Sequence, residues 1–143
     1  MTKQKFLEIT RACFKEYGFK ILKNTFILEL SELYVIAEVI RSNYSDCFYI
    51  DYNYSIKALH SEPFMKGRNY DLVGYPRIVT KEVGMLDERT LDKDIYLKFL
   101  NKIIKYYFDP IKQQGLKFIK TEIYSKDFCG VFSELAEEYL KNI

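Results

Sequence analysis

Apolar and polar side chains alternate most regularly in residues 46–57 (DCFYIDYNYSIK). In an extended chain one side carries Phe48, Ile50, Tyr52, Tyr54 and Ile56, and the other carries Tyr49, Asp51, Asn53 and Ser55. A period of two over this length predicts a β-strand with one apolar face. Because an apolar sheet face needs a cover and a polar face needs water, we expect helices on one side of this sheet and solvent on the other.

The segment before this strand predicts an amphipathic helix and further strands. Between Thr2 and Tyr17 the apolar residues recur with a helical period, at Phe6, Leu7, Ile9, Cys13, Phe14 and Tyr17, and Gly18 stands where helices often end. Residues 19–22, 26–30 and 33–41 then predict strands, separated by the polar pairs 23–24 and 31–32. With residues 42–45 as a turn, the result is an antiparallel meander of three or four strands.

The middle of the chain is less regular. Residues 58–73 include His60, Pro63 and Gly67 and predict a long loop. Residues 77–83 alternate enough for one more strand, with Pro76 at its start, where a missing N–H group is tolerated, and Gly84 at its end.

The last third predicts helices. One begins near Thr90 or Asp92 and buries Ile95, Phe99, Leu100, Ile103, Ile104 and Tyr107. Asp109 and Pro110 are typical of a helix start, so we expect a break or kink there and one more turn from 110 to 114 before Gly115. Residues 116–124 fit either a helix or an edge strand. A final helix opens near Asp127 or Gly130 and buries Phe132, Leu135, Ala136, Tyr139 and Leu140.

These elements predict an α+β fold. We expect an antiparallel sheet of about four to five strands, with an N-terminal helix and two or three C-terminal helices packed mainly on one face. A chain of 143 residues is most simply one domain over residues 1–143.

The residue inventory argues against most cofactor and catalytic chemistry. The chain has a single histidine and six separated glycines, so it offers no set of imidazole ligands and no glycine-rich phosphate loop. Ser61 and Glu62 adjoin His60, but sequence neighbours do not point at one another as members of a catalytic triad must. We therefore expect no metal, no cofactor and no catalytic residue, with His60 on a surface loop.

Charge and cysteine content indicate the compartment and the class of partner. The net charge is +2, and three widely spaced cysteines favour a reducing cytoplasm over a disulfide framework. No leader or membrane-spanning run is visible, so a membrane is not an expected partner. Seven lysines between residues 98 and 126 suit a solvated helix face, which makes nucleic acid an unlikely partner.

Tyrosine is abundant, with 13 residues, and it sets the candidate binding surface. That surface is the polar side of the sheet with its neighbouring loop, at Arg41, Tyr49, Asp51, Asn53, His60, Arg68, Asn69 and Tyr70. The first hypothesis is a non-enzymatic protein-binding module, of the immunity or antitoxin kind or a homodimer. The alternative is a small-molecule binder or unrecognised hydrolase with a pocket between the 58–75 loop and the sheet, where His60, Arg68 and Asp51 converge.

The N-terminal half also resembles a known family. The helix ending at Tyr17, the junction YGFK at residues 17–20, the meander and the strand FYIDYNYSI are similar to a bacterial family known only as a domain of unknown function, number 4304. Residues 38–42 (EVIRS) replace the glutamine-lysine-serine-like strand segment associated with such proteins. The resemblance implies an α+β fold and supplies no activity or catalytic residues.

Overall fold

The computed structural model describes residues 1–41, 47–65, 67, 70–76, 86–87, 92–124 and 128–143. Its strands are β1 (Lys20–Leu22), β2 (Thr25–Glu29), β3 (Leu33–Arg41), β4 (Cys47–Ile56), β5 (Leu72–Pro76), β6 (Leu86–Asp87) and β7 (Phe128–Phe132). Its α-helices are α1 (Lys3–Tyr17), α2 (Lys93–Ile103), α3 (Asp109–Gln114), α4 (Leu116–Phe118) and α5 (Glu134–Lys141). The α+β prediction is confirmed.

One antiparallel sheet organises the described residues. Its strands run in the order β1-β2-β3-β4-β5-β7, and β6 pairs with the start of β4. The long central pair joins β3 to β4 from Leu33 opposite Ile56 to Arg41 opposite Phe48. The sheet has more strands than the four to five expected, because β5, β6 and β7 were not foreseen.

Helices cover one face of the sheet, as predicted. The inward side chains of β4, from Phe48 to Ile56, are all buried, and they share one core with α1, α2 and α5. Phe14 of α1 shows the packing well, since its ring lies 4.8 Å from Phe26 and 5.6 Å from Phe108 between ring centroids. No helix in the described part of the chain is long and apolar enough to cross a lipid bilayer.

Helix α1 begins and ends where the sequence predicts. The Thr2 side chain accepts a hydrogen bond from the Lys5 amide, and Gly18 closes the helix with a φ of 121°. The buried row is Phe6, Thr10 and Phe14. Thr10 is tolerated there because its hydroxyl donates to the Phe6 carbonyl at 2.7 Å and contacts the Tyr96 hydroxyl at 2.5 Å.

The buried face of α2 includes Phe99, Leu100 and Ile103, as predicted, but not Ile95. Asp92 caps the helix, but Tyr96 is buried whereas Ile95 is 58 % exposed. A tyrosine takes the core position because its hydroxyl finds Thr10 of α1. The alternative start at Thr90 lies outside the described residues.

A break or kink was predicted at Asp109 and Pro110, and of these two the break is wrong. The helix continues from α2 through a π-helical segment, Ile104–Phe108, into α3, and Asp109 has helical dihedrals of −61° and −48°. Proline lacks an N–H group and crowds the preceding turn, and the wider π-helical turns accommodate it without ending the helix. The helix stops at Gly115, whose φ is 60°, as expected.

In the C-terminal region the structure decides between helix and strand for residues 116–124, and the predicted start of the final helix is wrong. Residues 116–124 are helical, as α4 followed by the π-helical segment Ile119–Tyr124. The final helix does not open near Asp127 or Gly130, because Phe128–Phe132 forms β7 against β5 and α5 starts after the Ser133 cap. Leu135 is consequently 63 % exposed rather than buried.

The loop prediction is also too long at one end. Leu72 and Val73, assigned to the 58–73 loop, belong to β5, and Pro76 ends that strand instead of starting one. Pro76 suits that position because a strand end needs no further backbone donor. The strand predicted at 77–83 and the turn at 42–45 lie outside the described residues.

Candidate functional site

The sheet face opposite the helices, here called the outer face, is only partly open to solvent. Asn53, Ser55 and Ile36 all lie on it and are buried. The loop between β4 and β5 lies over this region, where the Phe64 ring stacks on Tyr34 at 4.5 Å between centroids with a 22° interplanar angle. The prediction of a uniformly solvated outer face is therefore wrong, because the loop covers one end of it.

Asp71 fastens this loop to the sheet. Its buried carboxylate accepts the Ile56 amide at 2.7 Å and lies 2.8 and 2.9 Å from Nε2 of His60. Its own amide donates to the Tyr54 carbonyl at 2.8 Å. Because these bonds join the two ends of the loop to the same strand, His60 and Asp71 act as its clamp.

A second contact holds the middle of the loop. The Tyr70 hydroxyl donates to Glu38 of β3 at 2.8 Å and accepts the Gly67 amide at 3.1 Å. Burial raises the pKa of Tyr70 to about 12. Glu38 stands directly opposite Asp51 of β4, and burial together with the Glu38 charge raises the pKa of the Asp51 carboxyl.

The outer face carries two concavities separated by Pro63 and Phe64. The apolar lobe has a volume of about 440 Å³ and is lined by Leu22, Ile27, Tyr34, Pro63 and Phe64, together with Lys20 and Glu29. The polar lobe has a volume of about 170 Å³ and is lined by Tyr34, Ser55, Lys57, His60, Glu62, Pro63 and Phe64. Both lobes lie beside Tyr34, so the stacked Tyr34 and Phe64 rings form the wall between them.

Tyr34 is held from two directions. In addition to the Phe64 stack, the Lys57 ammonium lies 5.0 Å from the Tyr34 ring centroid and 3.3 Å from a Glu29 carboxylate oxygen. The cation–π contact with Lys57 and the ring stack with Phe64 both stabilise this position of the Tyr34 ring. The wall of the apolar lobe is thus fixed in place before any ligand arrives.

The structure separates several of the residues that the sequence grouped together. Tyr49, Asp51 and Asn53 do lie on the outer face, and Tyr70 reaches it through Glu38. Arg41 does not, because it pairs with Phe48 and therefore stands on the helix side of the sheet. Arg68 and Asn69 lie outside the described residues.

His60 and Asp51 do not converge. His60 binds Asp71 and lines the polar lobe beside Ser55, whereas Asp51 lies four residues along β4 from Ser55, about 13 Å away at the rise of an extended strand. The polar lobe lies between this loop and the sheet, and of the three residues predicted to converge there only His60 lines it among those described.

Sequence analysis missed Phe64, Asp71 and Tyr34 as site residues. Phe64 and Asp71 sit in an irregular loop, where no periodic pattern marks a side chain as buried. Tyr34 lies in a predicted strand, but with both faces of that strand largely apolar the sequence does not show which face it belongs to or that Phe64 is its partner.

A further cleft of about 490 Å³ lies between α1 and α2 and is lined mainly by apolar residues, including Ile9, Cys13, Leu97 and Ile104. Burial, with a smaller effect of Glu16, raises the pKa of the Cys13 thiol. A thiol that stays protonated is a weak nucleophile, which agrees with a structural role for Cys13. Among the described residues, no group of three His, Cys, Asp or Glu side chains is placed to hold a metal ion.

Comparison with known protein families gives a match over most of the described sheet. The profile of the Domain of unknown function (DUF4304) matches residues 10–103, which run from the middle of α1 to the end of α2 and include both lobes of the outer face. No curated protein and no solved structure matches the chain. Since the matched segment covers well over half of the 143 residues, the protein belongs to the DUF4304 family of domains of unknown function.

Proposed function

We propose that the protein is a non-enzymatic binding module of the cytoplasm that recognises another protein through the apolar lobe and the adjoining strand β1. The observation that carries this proposal is the open apolar lobe beside a sheet edge. Leu22 belongs to both features, since it lines the lobe and is the last residue of β1.

The edge and the lobe suit an extended peptide. Among the described strands β1 pairs only with β2, so the other side of β1 offers backbone donors and acceptors. A peptide strand that pairs there places every second side chain toward the outer face, where the lobe receives an apolar one. Lys20 and Glu29 supply opposite charges at this site and favour one orientation of a charged peptide.

The clamp supports a binding role over a catalytic one. The single histidine of the chain has its Nε2 atom engaged with the buried Asp71 carboxylate, where it joins the loop to the sheet. A histidine used in this way stabilises the loop that builds the lobe wall.

A second candidate is small-molecule binding or hydrolysis in the polar lobe. It is favoured by one observation, the presence of Ser55 and His60 in the same concavity with Asp71 behind the imidazole. The volume of 170 Å³ is smaller than the roughly 300 Å³ of small ligand sites, so a ligand there would have to displace Phe64.

Selection from a random peptide library on the immobilised full chain tests the main proposal. We expect the selected peptides to carry apolar residues at alternate positions and to bind Leu22→Glu at least about tenfold more weakly, because the new carboxylate would be buried against an apolar group. Ile95→Glu, an equally apolar but remote position that is 58 % exposed, is the matched control and should bind normally.

Peptides that bind Leu22→Glu as tightly as the original chain would overturn the assignment of this surface. Circular dichroism of both variants checks that the fold is retained. Binding of small molecules that is lost on Ser55→Ala and retained in Leu22→Glu would instead favour the second candidate.

A further inference from the structure

The cleft between α1 and α2 lies on the helix side of the sheet and takes no part in the function proposed above. The two helices run side by side in the same direction, because Phe6 stacks on Tyr96 near their starts and the Tyr17 hydroxyl donates to Asp109, where α3 continues the long helix. The cleft volume of about 490 Å³ falls within the roughly 300–1,000 Å³ of small-molecule sites. A small ligand therefore has room here without displacing a side chain.

Most of the cleft wall is apolar. The apolar lining comes from α1 and from the long helix opposite, and it consists of Ile9, Ala12, Cys13, Leu97 and Ile104. Ala12 is exposed and carries only a methyl group, so its side chain leaves the cleft open. From Ile9 to Glu16 the cleft follows α1 for about 10 Å, which suits a slender apolar molecule.

One carboxylate gives the cleft its charge. Of the described residues that line it, only Glu16 is charged, and Asn101 adds an amide. The Glu16 charge acts inside the cleft, since burial and, after it, this charge raise the pKa of the Cys13 thiol. Glu16 also lies in the last turn of α1, where the helix dipole has its negative end. This end of the cleft therefore favours a cation and disfavours an anion.

Two further charges lie at the same end, and both contact Tyr17. The Lys112 ammonium lies 4.9 Å from the Tyr17 ring centroid, and Asp109 accepts the hydrogen bond of the Tyr17 hydroxyl at 2.8 Å. Because these two charges are opposite in sign, they offset each other, and Glu16 sets the sign of the cleft.

We infer that the cleft binds a slender amphiphilic amine, whose apolar body lies along Ile9, Leu97 and Ile104 and whose ammonium group lies beside Glu16. An apolar lining with a few polar groups that fix orientation is the usual composition of a small-molecule site. The amide oxygen of Asn101 provides a second acceptor for the ammonium protons. The cleft and the apolar lobe lie on opposite faces of the sheet, so this inference stands independently of the peptide-binding role.

Calorimetric titration of the full chain with octylamine, octanol and octanoate tests the inference, because these probes share one apolar chain and differ in charge. We expect octylamine to bind more tightly than octanol, and octanol more tightly than octanoate. Glu16→Gln should weaken octylamine binding by about threefold or more and leave octanol binding unchanged, because it removes only the ion pair. Glu138→Gln, at an exposed position on α5 that does not line the cleft, is the matched control and should bind like the original chain.

Two further measurements locate the bound probe. Ala12→Leu places a larger side chain in the cleft and should abolish the binding of octylamine and octanol alike, with circular dichroism as the check on folding. Saturating octylamine should slow the alkylation of Cys13 at alkaline pH relative to Cys47, which does not line the cleft. A chain that does not bind octylamine, an equal affinity for octanol or octanoate, an unchanged affinity in Glu16→Gln or in folded Ala12→Leu, or Cys13 alkylation that octylamine does not slow would each overturn the inference.

Discussion

Two buried tyrosines on the same long helix provide the sharpest test of how the core is held together. Tyr96 and Tyr107 are both fully buried. The Tyr96 hydroxyl contacts the Thr10 hydroxyl, and because Thr10 gives its single proton to the Phe6 carbonyl, Tyr96 must be the donor. The Tyr107 hydroxyl has no hydrogen-bond partner among the described residues.

Replacement by phenylalanine should therefore change stability in opposite directions. A buried polar group without a partner costs about 1–3 kcal/mol, so Tyr107→Phe is expected to raise the free energy of unfolding by about 1 kcal/mol. The ring itself keeps its edge-to-face packing on Tyr52 and Tyr54, at centroid distances of 5.9 and 6.3 Å. Tyr96→Phe loses one buried hydrogen bond and should lower the free energy of unfolding by about 1 kcal/mol.

Urea unfolding followed by far-ultraviolet circular dichroism measures both changes. For a chain of this length, 1 kcal/mol corresponds to about 3 °C in the melting temperature, which is well resolved. The two variants should shift the urea midpoint in opposite directions with unchanged slope. A Tyr107→Phe variant that is less stable than the original chain, or two variants that shift the midpoint in the same direction, would refute the reasoning.

Four further substitutions test the site and one helix end. Asp51 has a raised pKa in the folded state, so the folded state holds its proton more tightly and stability falls as pH rises from about 4 through the folded pKa. Asp51→Asn should remove this dependence and raise the free energy of unfolding at pH 7, because it removes a like charge opposite Glu38; urea unfolding across pH measures both effects. Asp71→Ala leaves the Ile56 amide without its acceptor, so it should lower the free energy of unfolding by about 2–3 kcal/mol and make the loop between β4 and β5 more susceptible to protease. His60→Ala should lower the free energy of unfolding by less. Gly18→Ala should cost about 1–2 kcal/mol in thermal unfolding, because its φ of 121° strains any side chain although the nearest atom to an added Cβ is 3.9 Å away.

The sequence predicts most accurately the elements whose burial follows a local period. Strands β3 and β4 were found almost to the residue, β4 because apolar and polar side chains alternate along it and β3 because both of its faces are largely apolar, as in an interior strand. Helix α1 was found because its apolar period ends at a glycine. The buried face of α2 was predicted less accurately because a tyrosine ring is stable in the core whereas its hydroxyl is stable in water. Tyr96 is buried because its hydroxyl has Thr10 of α1 as a partner, and the local sequence does not show that contact.

Elements that depend on distant partners could not be predicted. The five residues of β7 are too few for a period, and what makes them a strand is β5, which comes much earlier in the chain. The same holds for the candidate site. Phe64 can be recognised as a site residue only when its stacking on Tyr34 is known. Asp71 can be recognised only when its contacts with the Ile56 amide and His60 are known.

The pairing of β5 with β7 has a consequence for how the chain is made. Leu72 of β5 pairs with Phe132 of β7, which is synthesised sixty residues later. The sheet therefore stays incomplete on this side while the ribosome translates the helices in between. Pairings between residues so far apart in sequence form slowly. The nascent polypeptide is therefore expected to finish folding only after its C-terminal strand has emerged from the exit tunnel.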